Sequence, residues 1–243
     1  MRQNLQKNQI ASNRQNFLFR IIEETHMKLR SLLIASALLT SFSIPMTASA
    51  LDVNITADLP SVDVMHGGQK VTIMRNQNPN NTVNPDFAKT SRKCPPFCVQ
   101  PGDMGSGIET IGELETIHYL KKMSDGDKSI IVVDSRTPDW VEKGTIPGSV
   151  NIPWDKLNIG KSDPITVQDI LEKSLGVRNQ DGFYMFDNAK TVVFFCNGPW
   201  CGQSPTNIKG LLKIGYPASK IKWYRGGMQD WEVLGLTTVK PAK

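Results

Sequence analysis

Thr191-Val-Val-Phe-Phe-Cys196-Asn-Gly-Pro-Trp-Cys201-Gly-Gln-Ser204-Pro205 is the stretch that decides how the chain is read. Thr191 to Phe195 all favour β-structure and run straight into a cysteine, and a Ser-Pro pair about eight residues later opens a segment with helical spacing. A strand this apolar is buried, and one that stops at Cys196 delivers its thiol to the carboxyl edge of a sheet, where open α/β folds place their ligands. A helix beginning near Ser204 turns its amide hydrogens and positive dipole end back toward that sulfur, which favours thiolate over thiol. The stretch predicts a nucleophile.

Outward from it, helices and strands alternate. Downstream, Ile208, Leu211, Leu212 and Ile214 repeat at helical spacing up to a stop at Gly215, Ile221 to Tyr224 reads as a strand, and Gly227 to Leu234 as a short terminal helix. Upstream, Ile130 to Val133 is a second all-apolar run, ending at Asp134, and Thr137-Pro138-Asp139 starts a helix with proline at its first position. Ile146 to Ser149 makes a turn and Val150 to Ile152 a brief strand. Thr110 and Glu113 form a capping box for a helix over 111–122, and Thr166 and Asp169 cap another that runs to about Lys173. The alternation predicts an α/β fold with a mostly parallel central sheet flanked by helices, over residues 108–240.

Residues 51–107 lie outside that pattern. Val62 and Val64, the turn Gly67-Gly68, then Val71 and Ile73 predict a β-hairpin, and the Asn-rich run 76–84 an exposed loop. This is a small β-containing N-terminal extension.

The first 50 residues read as an address. From Met27 the chain has Lys28 and Arg30, an apolar run from Leu32 to Ile44, Pro45 and the small-residue end Ala48-Ser49-Ala50, the pattern of a secretory signal over 27–50 cleaved after Ala50. The apolar run is shorter than the roughly 20 residues of an ordinary membrane span, so cleavage, which leaves no stable membrane insertion, is expected over the alternative of an uncleaved anchor. Residues 1–26 are polar where a signal should begin, which points to Met27 as the true start and to a gene-start error upstream. The whole chain carries a net charge of +5, but residues 1–50 hold six of its 28 bases and two of its 23 acids, leaving +1 on the remainder. That balance argues against nucleic-acid binding. A periplasmic or secreted protein is expected.

All four cysteines lie in the exported part, as Cys94-Pro-Pro-Phe-Cys98 and as Cys196 with Cys201. Two close-spaced pairs in a chain of this size are not a stapling framework; they suggest redox chemistry, a sulfur relay or, for Cys94 and Cys98, a local disulfide clip. A four-cysteine zinc site would use tighter knuckle spacings, so no metal is expected. His66 and His118 lie near no motif, which leaves a Cys-His hydrolase without support.

Three ordered segments resemble the rhodanese-like sulfurtransferase family. Ile131-Val-Val-Asp134-Ser-Arg136 with Gly144-Thr-Ile-Pro147-Gly148-Ser-Val-Asn151 is similar to its strand-Asp-x-Arg and Gly-His-Ile-Pro-Gly signature, with Thr145 in the histidine place. Val192 to Cys196 is similar to the strand that delivers the catalytic cysteine, and Gly226-Gly227 with Trp231 to the Gly-Gly-x-x-x-Trp ending. The resemblance implies a single rhodanese-like domain in which Cys196 takes a sulfane sulfur as a persulfide. The loop of Asn197, Gly198, Trp200, Gly202, Gln203 and Ser204 would hold the charged sulfur. Asp134 is expected to brace that loop, and Arg136 and Arg225 either supply the positive charge the loop lacks and bind the donor or form ion pairs with surface carboxylates. The family needs no cofactor beyond the covalent persulfide; its partners are a small sulfane-sulfur donor and a thiol acceptor, which can be a protein.

The departures from the family are specific. The fifth residue after the catalytic cysteine is commonly basic and helps hold thiosulfate; here it is Cys201. Asn197 also replaces a frequent basic residue, and Pro199 removes an amide donor. These changes imply a donor other than thiosulfate. Related phosphatases carry arginine six residues after the cysteine, where this chain has Gly202. Three readings remain open for the protein: a sulfurtransferase acting through Cys196, a thiol-disulfide redox protein using Cys196 with Cys201 as resolving partner, and a non-catalytic binding module on the same fold.

Overall fold

The computed structural model describes residues 52–158 and 160–241. The gene-start and signal-peptide readings of 1–26 and 27–50 fall on residues outside that range.

The extension begins with β1 (Ser61–His66) and β2 (Gln69–Met74), an antiparallel hairpin with Val62 opposite Ile73 and Val64 opposite Val71. Gly67 and Gly68 turn it at φ 56° and 79°, the left-handed region a two-residue hairpin turn needs. There follow β3 (Glu109–Ile111), α1 (Glu113–Ser124), β4 (Ile130–Asp134), α2 (Pro138–Val141), β5 (Val150–Asn151) and α3 (Pro164–Lys173). A small antiparallel pair, β6 (Arg178–Gln180) and β7 (Phe183–Met185), precedes β8 (Thr191–Phe195), α4 (Gln203–Lys213), β9 (Ile221–Tyr224) and α5 (Gly227–Val233).

Strands β3, β9, β8, β4 and β5 lie side by side in that order, every pair parallel. The chain leaves β4 outward to β5 and returns through β8 on the other side of β4. The strand order therefore switches between β4 and β8, and the crevice at their carboxyl ends is where such sheets bind ligands. Asp134 and Phe195 pair in register there, and Cys196 is the next residue.

Both faces of the sheet are covered, which is why β4 is apolar from Ile130 to Val133 and β8 from Val192 to Phe195. Val192 and Phe194 join Ile131, Val133 and Trp223 on one face, packed against Val167 and Leu171 of α3 and Ile208 and Leu211 of α4. Val193 and Phe195 join Val132 and Tyr224 on the other, with Ile117 and Leu120 of α1 and Met228 and Trp231 of α5. Val62, Val64 and Ile73 of the hairpin belong to this second core. At about 1.5–3 kcal/mol for each fully buried side chain, the extension is part of the fold's stability rather than an appendage.

Two caps differ from their sequence reading. The N-cap of α1 is Gly112, whose amide donates to Glu115 Oε2 at 3.0 Å, while Thr110 sits in β3. Helix α3 starts with Pro164, and Asp163 caps it by accepting from the Thr166 amide at 2.9 Å. In both cases two overlapping polar patterns competed locally, and the path of the preceding chain chose between them. Strands β3, β6 and β7 carry too little pattern to be read from sequence, being three residues each, too short to show a period.

Candidate active site

Cys196 is only 2% exposed. The backbone holds it from two sides. The first turn of α5 grips the start of the loop, the Met228 amide donating to the Cys196 carbonyl at 2.9 Å and the Gln229 amide to that of Asn197 at 3.0 Å. This approach requires Gly227: its φ is +59°, and a Cβ there would lie 2.3 Å from the Cys196 oxygen and 3.0 Å from the Gly198 nitrogen. On the other side the Cys201 amide donates to the Gly198 carbonyl at 2.9 Å, closing a turn that leads into α4 at Gln203.

The sulfur's surroundings decide its charge. Burial opposes the thiolate, but hydrogen bonds from the Cys201 thiol, from the amide and hydroxyl of Ser204 and from the Gly198 amide outweigh it and lower Cys196 to about 7. The N-terminal end of α4 adds a favourable dipole. The Ser204 hydroxyl is itself 3.2 Å from that of Ser135, at the end of β4. Cys201 moves the opposite way: it keeps its proton to donate to Cys196, it is buried at 4% exposure, and it sits beside a developing negative charge, so it is raised well above the ordinary thiol value. Both thiols are free.

A cavity of about 340 Å³ opens beside this pair. Phe97, Trp140, Trp154 and Trp200 provide its aromatic walls, and Cys201 and Asn197 stand in its lining. A larger cavity, about 520 Å³, lies far from any nucleophile, along Arg75, Asn81 and Glu232. Chemistry favours the smaller one. Part of its wall comes from the extension: Cys94 and Cys98 are joined in a disulfide, Phe97 meets Trp200 edge-on at 5.7 Å, and the Gln100 amide donates to the Pro199 carbonyl at 2.8 Å.

The sequence profile of the rhodanese-like domain family matches residues 116–233. This part of the chain is a rhodanese-like domain. Over 128 residues the chain is 27% identical to a protein of Schizosaccharomyces pombe named "Putative thiosulfate sulfurtransferase, mitochondrial", covering 50% of this chain and 77% of the relative. Similar solved structures include a Bacillus halodurans protein, with 19% identity over 56% of this chain and 79% of the other at a TM-score of 0.38. Another is an E. coli rhodanese with anions, with 20% identity over 46% and 98% and a TM-score of 0.30.

Within the rhodanese-like domain, the expected site residues separate into three groups. Gly198 and Ser204 reach the sulfur, while Asn197, Trp200, Cys201, Gly202 and Gln203 face the cavity. Trp200 is fixed there by its Nε1, which donates to Gln229 Oε1 at 2.8 Å. Asp134 and Arg136 lie elsewhere. Both are 0% exposed, and Arg136 donates from Nε to Oδ1 at 2.9 Å and from its terminal nitrogen to Oδ2 at 2.6 Å. Arg136 also donates to the Gly144 carbonyl at 2.6 Å, and Thr145 Oγ1 to Asp134 at 2.7 Å.

The expectation that Asp134 braces the cysteine loop is therefore corrected. Its carboxylate holds the Gly144-Thr145 turn through Arg136, and Arg136 has its charge neutralised in the core, away from any donor. Arg225 donates to the Gln100 carbonyl at 2.8 Å and ties the extension to the domain. His66 Nδ1 accepts from the Gly148 amide at 3.2 Å, and His118 is exposed on α1. Sequence reading missed Ser135, Gly227, Phe97 and Gln100 as site-builders. Gly227 alone carried a signal, in its Gly-Gly pair.

Proposed function

We propose that this protein is an exported sulfurtransferase that carries sulfane sulfur as a persulfide on Cys196. The observation that carries this reading is the buried strand-end thiol whose pKa is brought to about 7 by the Gly198 amide, the Ser204 amide and hydroxyl, and the Cys201 thiol. The thiolate attacks the outer sulfur of a donor R–S–SH, a new S–S bond forms on Cys196, and R–S⁻ leaves with the electron pair of the broken bond. The same donors that favoured the thiolate then stabilise the charged persulfide. An acceptor thiolate removes the outer sulfur and returns Cys196 to its starting form. No cofactor enters this cycle. Export is supported by the signal-like pattern of 27–50 and by the Cys94–Cys98 disulfide, a bond at home in an oxidising compartment.

A second reading rests on the placement of both thiols in one short buried loop. The Cys196 thiol donates to the Cys201 carbonyl oxygen at 3.4 Å, and the Cys201 thiol donates to Gln203 Oε1 at 3.5 Å. Attack of Cys201 on a Cys196 persulfide would form the Cys196–Cys201 disulfide and release HS⁻, making the pair a resolving couple. Mass spectrometry separates the readings. After incubation with polysulfide or glutathione persulfide, a gain of one sulfur, about 32 Da, that disappears in Cys196→Ser supports transfer. A loss of about 2 Da dependent on both loop cysteines, with no sulfur adduct from any donor, replaces transfer by thiol-disulfide exchange.

A further inference from the structure

The two thiols of the loop face different ways. The Cys196 thiol donates to the Cys201 carbonyl oxygen at 3.4 Å, a partner inside the loop, and Cys196 is absent from the lining of the aromatic cavity. The Cys201 thiol donates to Gln203 Oε1 at 3.5 Å, and Cys201 and Gln203 both line that cavity. An organic molecule in the cavity therefore meets Cys201.

The lining defines what the cavity takes. Phe97, Trp140, Trp154 and Trp200 wall it, and its volume of about 340 Å³ lies within the range of small-molecule pockets, on the order of 300–1,000 Å³. Among the described residues no acidic or basic side chain stands in that lining. Walls of this kind favour a flat apolar body through area burial and ring packing, and they offer no counter-charge to an ionised one.

We infer that Cys201 is the sulfur at which the loop exchanges with outside thiols, and that the cavity holds the body of such a thiol, aromatic and uncharged, during the exchange. This rests on the resolving-couple reading, in which Cys201 attacks a Cys196 persulfide, HS⁻ leaves and the Cys196–Cys201 disulfide forms. That disulfide must be reopened before the next cycle. An incoming R–S⁻ attacks Cys201 Sγ, an S–S bond from R to Cys201 forms, the Cys196–Cys201 bond breaks, and its electron pair leaves on Cys196. A second R–S⁻ then attacks the sulfur of the bound R, R–S–S–R departs, and Cys201 leaves as thiolate and takes up a proton. Two outside thiols are oxidised to one disulfide and the protein pair is reduced. Leaving-group chemistry agrees with access. The thiol of lower pKa leaves faster, and Cys196 is lowered to about 7 while Cys201 is raised well above the ordinary thiol value.

The test closes the Cys196–Cys201 disulfide of the purified full chain with diamide and reopens it with benzyl mercaptan or with β-mercaptoethanol, thiols of similar acidity. Samples are quenched in acid, the freed thiol is blocked with N-ethylmaleimide, and fragmentation mass spectrometry locates both groups. The benzylthio group should sit on Cys201 and the maleimide on Cys196, in about tenfold or greater excess over the reverse. Benzyl mercaptan should open the pair about tenfold faster than β-mercaptoethanol, the scale of one or two aromatic contacts, and Trp154→Ala should remove most of that advantage. A benzylthio group on Cys196, equal rates for the two thiols, or no loop disulfide after diamide overturns the inference. The two proposals fail separately. Intact sulfur loading of Cys196 with the benzylthio group on Cys196 removes only the exchange site. Opening at Cys201 in a protein that no donor loads with sulfur removes only the transfer chemistry. If Trp154→Ala does not fold, the position of the benzylthio group and the ratio of the two rates in the unaltered protein still decide.

Discussion

Replacing Cys201 by alanine should make Cys196 a weaker acid and a slower nucleophile at neutral pH. The Cys201 thiol is the foremost of the hydrogen bonds that lower Cys196 to about 7, ahead of those from Ser204 and Gly198. A hydrogen bond to a charged group contributes about 1.5–3 kcal/mol, and each 1.36 kcal/mol is about one pKa unit, so its loss should bring Cys196 to about 8–9. At pH 7 the thiolate fraction then falls from about one half to roughly 1–9%, and alkylation should slow by about 5- to 50-fold. The assay is the pH profile of iodoacetamide modification of Cys196, followed by mass. In Cys201→Ala the inflection should move up while the plateau at high pH, where the thiolate is fully formed in both proteins, stays close to the original. Cys201→Ser, which keeps a donor in place, should hold the inflection near 7. An unchanged or lowered inflection in Cys201→Ala would show that the helix end and the Ser204 donors set the charge alone, and the account of the paired thiols would be wrong.

Other consequences follow from the same geometry. The depressed thiolate links stability to pH. Its contribution is fully present above the unfolded thiol value, about 8.5, and is lost as pH falls through about 7, so the stability gap between reduced protein and Cys196→Ala should widen by on the order of 2 kcal/mol from pH 6 to 8.5 in urea titrations. Gly227→Ala places a Cβ 2.3 Å from the Cys196 oxygen at φ +59°, and should lower Tm by at least about 3 °C and erase the enhanced reactivity of Cys196; an unaltered alkylation rate would contradict the grip of α5 on the loop. Asp134→Asn leaves Arg136 as an uncompensated charge in the core and should cost about 3–5 kcal/mol by chemical denaturation, and a change below 1 kcal/mol would contradict that placement. Opening the five-residue Cys94–Cys98 loop with Cys94→Ser should loosen the covering segment by about 2 kcal/mol, read as faster amide exchange near Phe97 and Gln100 with β8 unaffected.

The legible parts of the fold were those whose physics is local. The apolar runs of β4 and β8 predicted buried parallel strands because both faces of a central strand are covered, and the hairpin was visible in its alternation and glycine turn. The short strand β3 was not, because Glu109 to Ile111 becomes a strand only through the unpaired edge of β9. Cap positions slipped for the same reason: Thr110 and Thr166 satisfy the polar pattern, but the path of the incoming chain selects Gly112 and Asp163. At the site, the strand-end cysteine and the helix behind it were readable, whereas the destinations of Asp134 and Arg136 were not. Two charges two residues apart at a strand end can face a ligand or face each other, and only burial decides which.

By itself, the sequence determined that Cys196 stands at the carboxyl edge of a parallel sheet with a helix start behind it, because strand burial and helix capping act over a few consecutive residues. Only the tertiary structure decided what surrounds that sulfur. Residues 92–100, about a hundred positions upstream, fold over the loop and bring Phe97 and Arg92 onto Trp200. Such contacts depend on packing between distant segments, which no local pattern encodes, and they turn a bare cysteine loop into a site walled by an aromatic pocket.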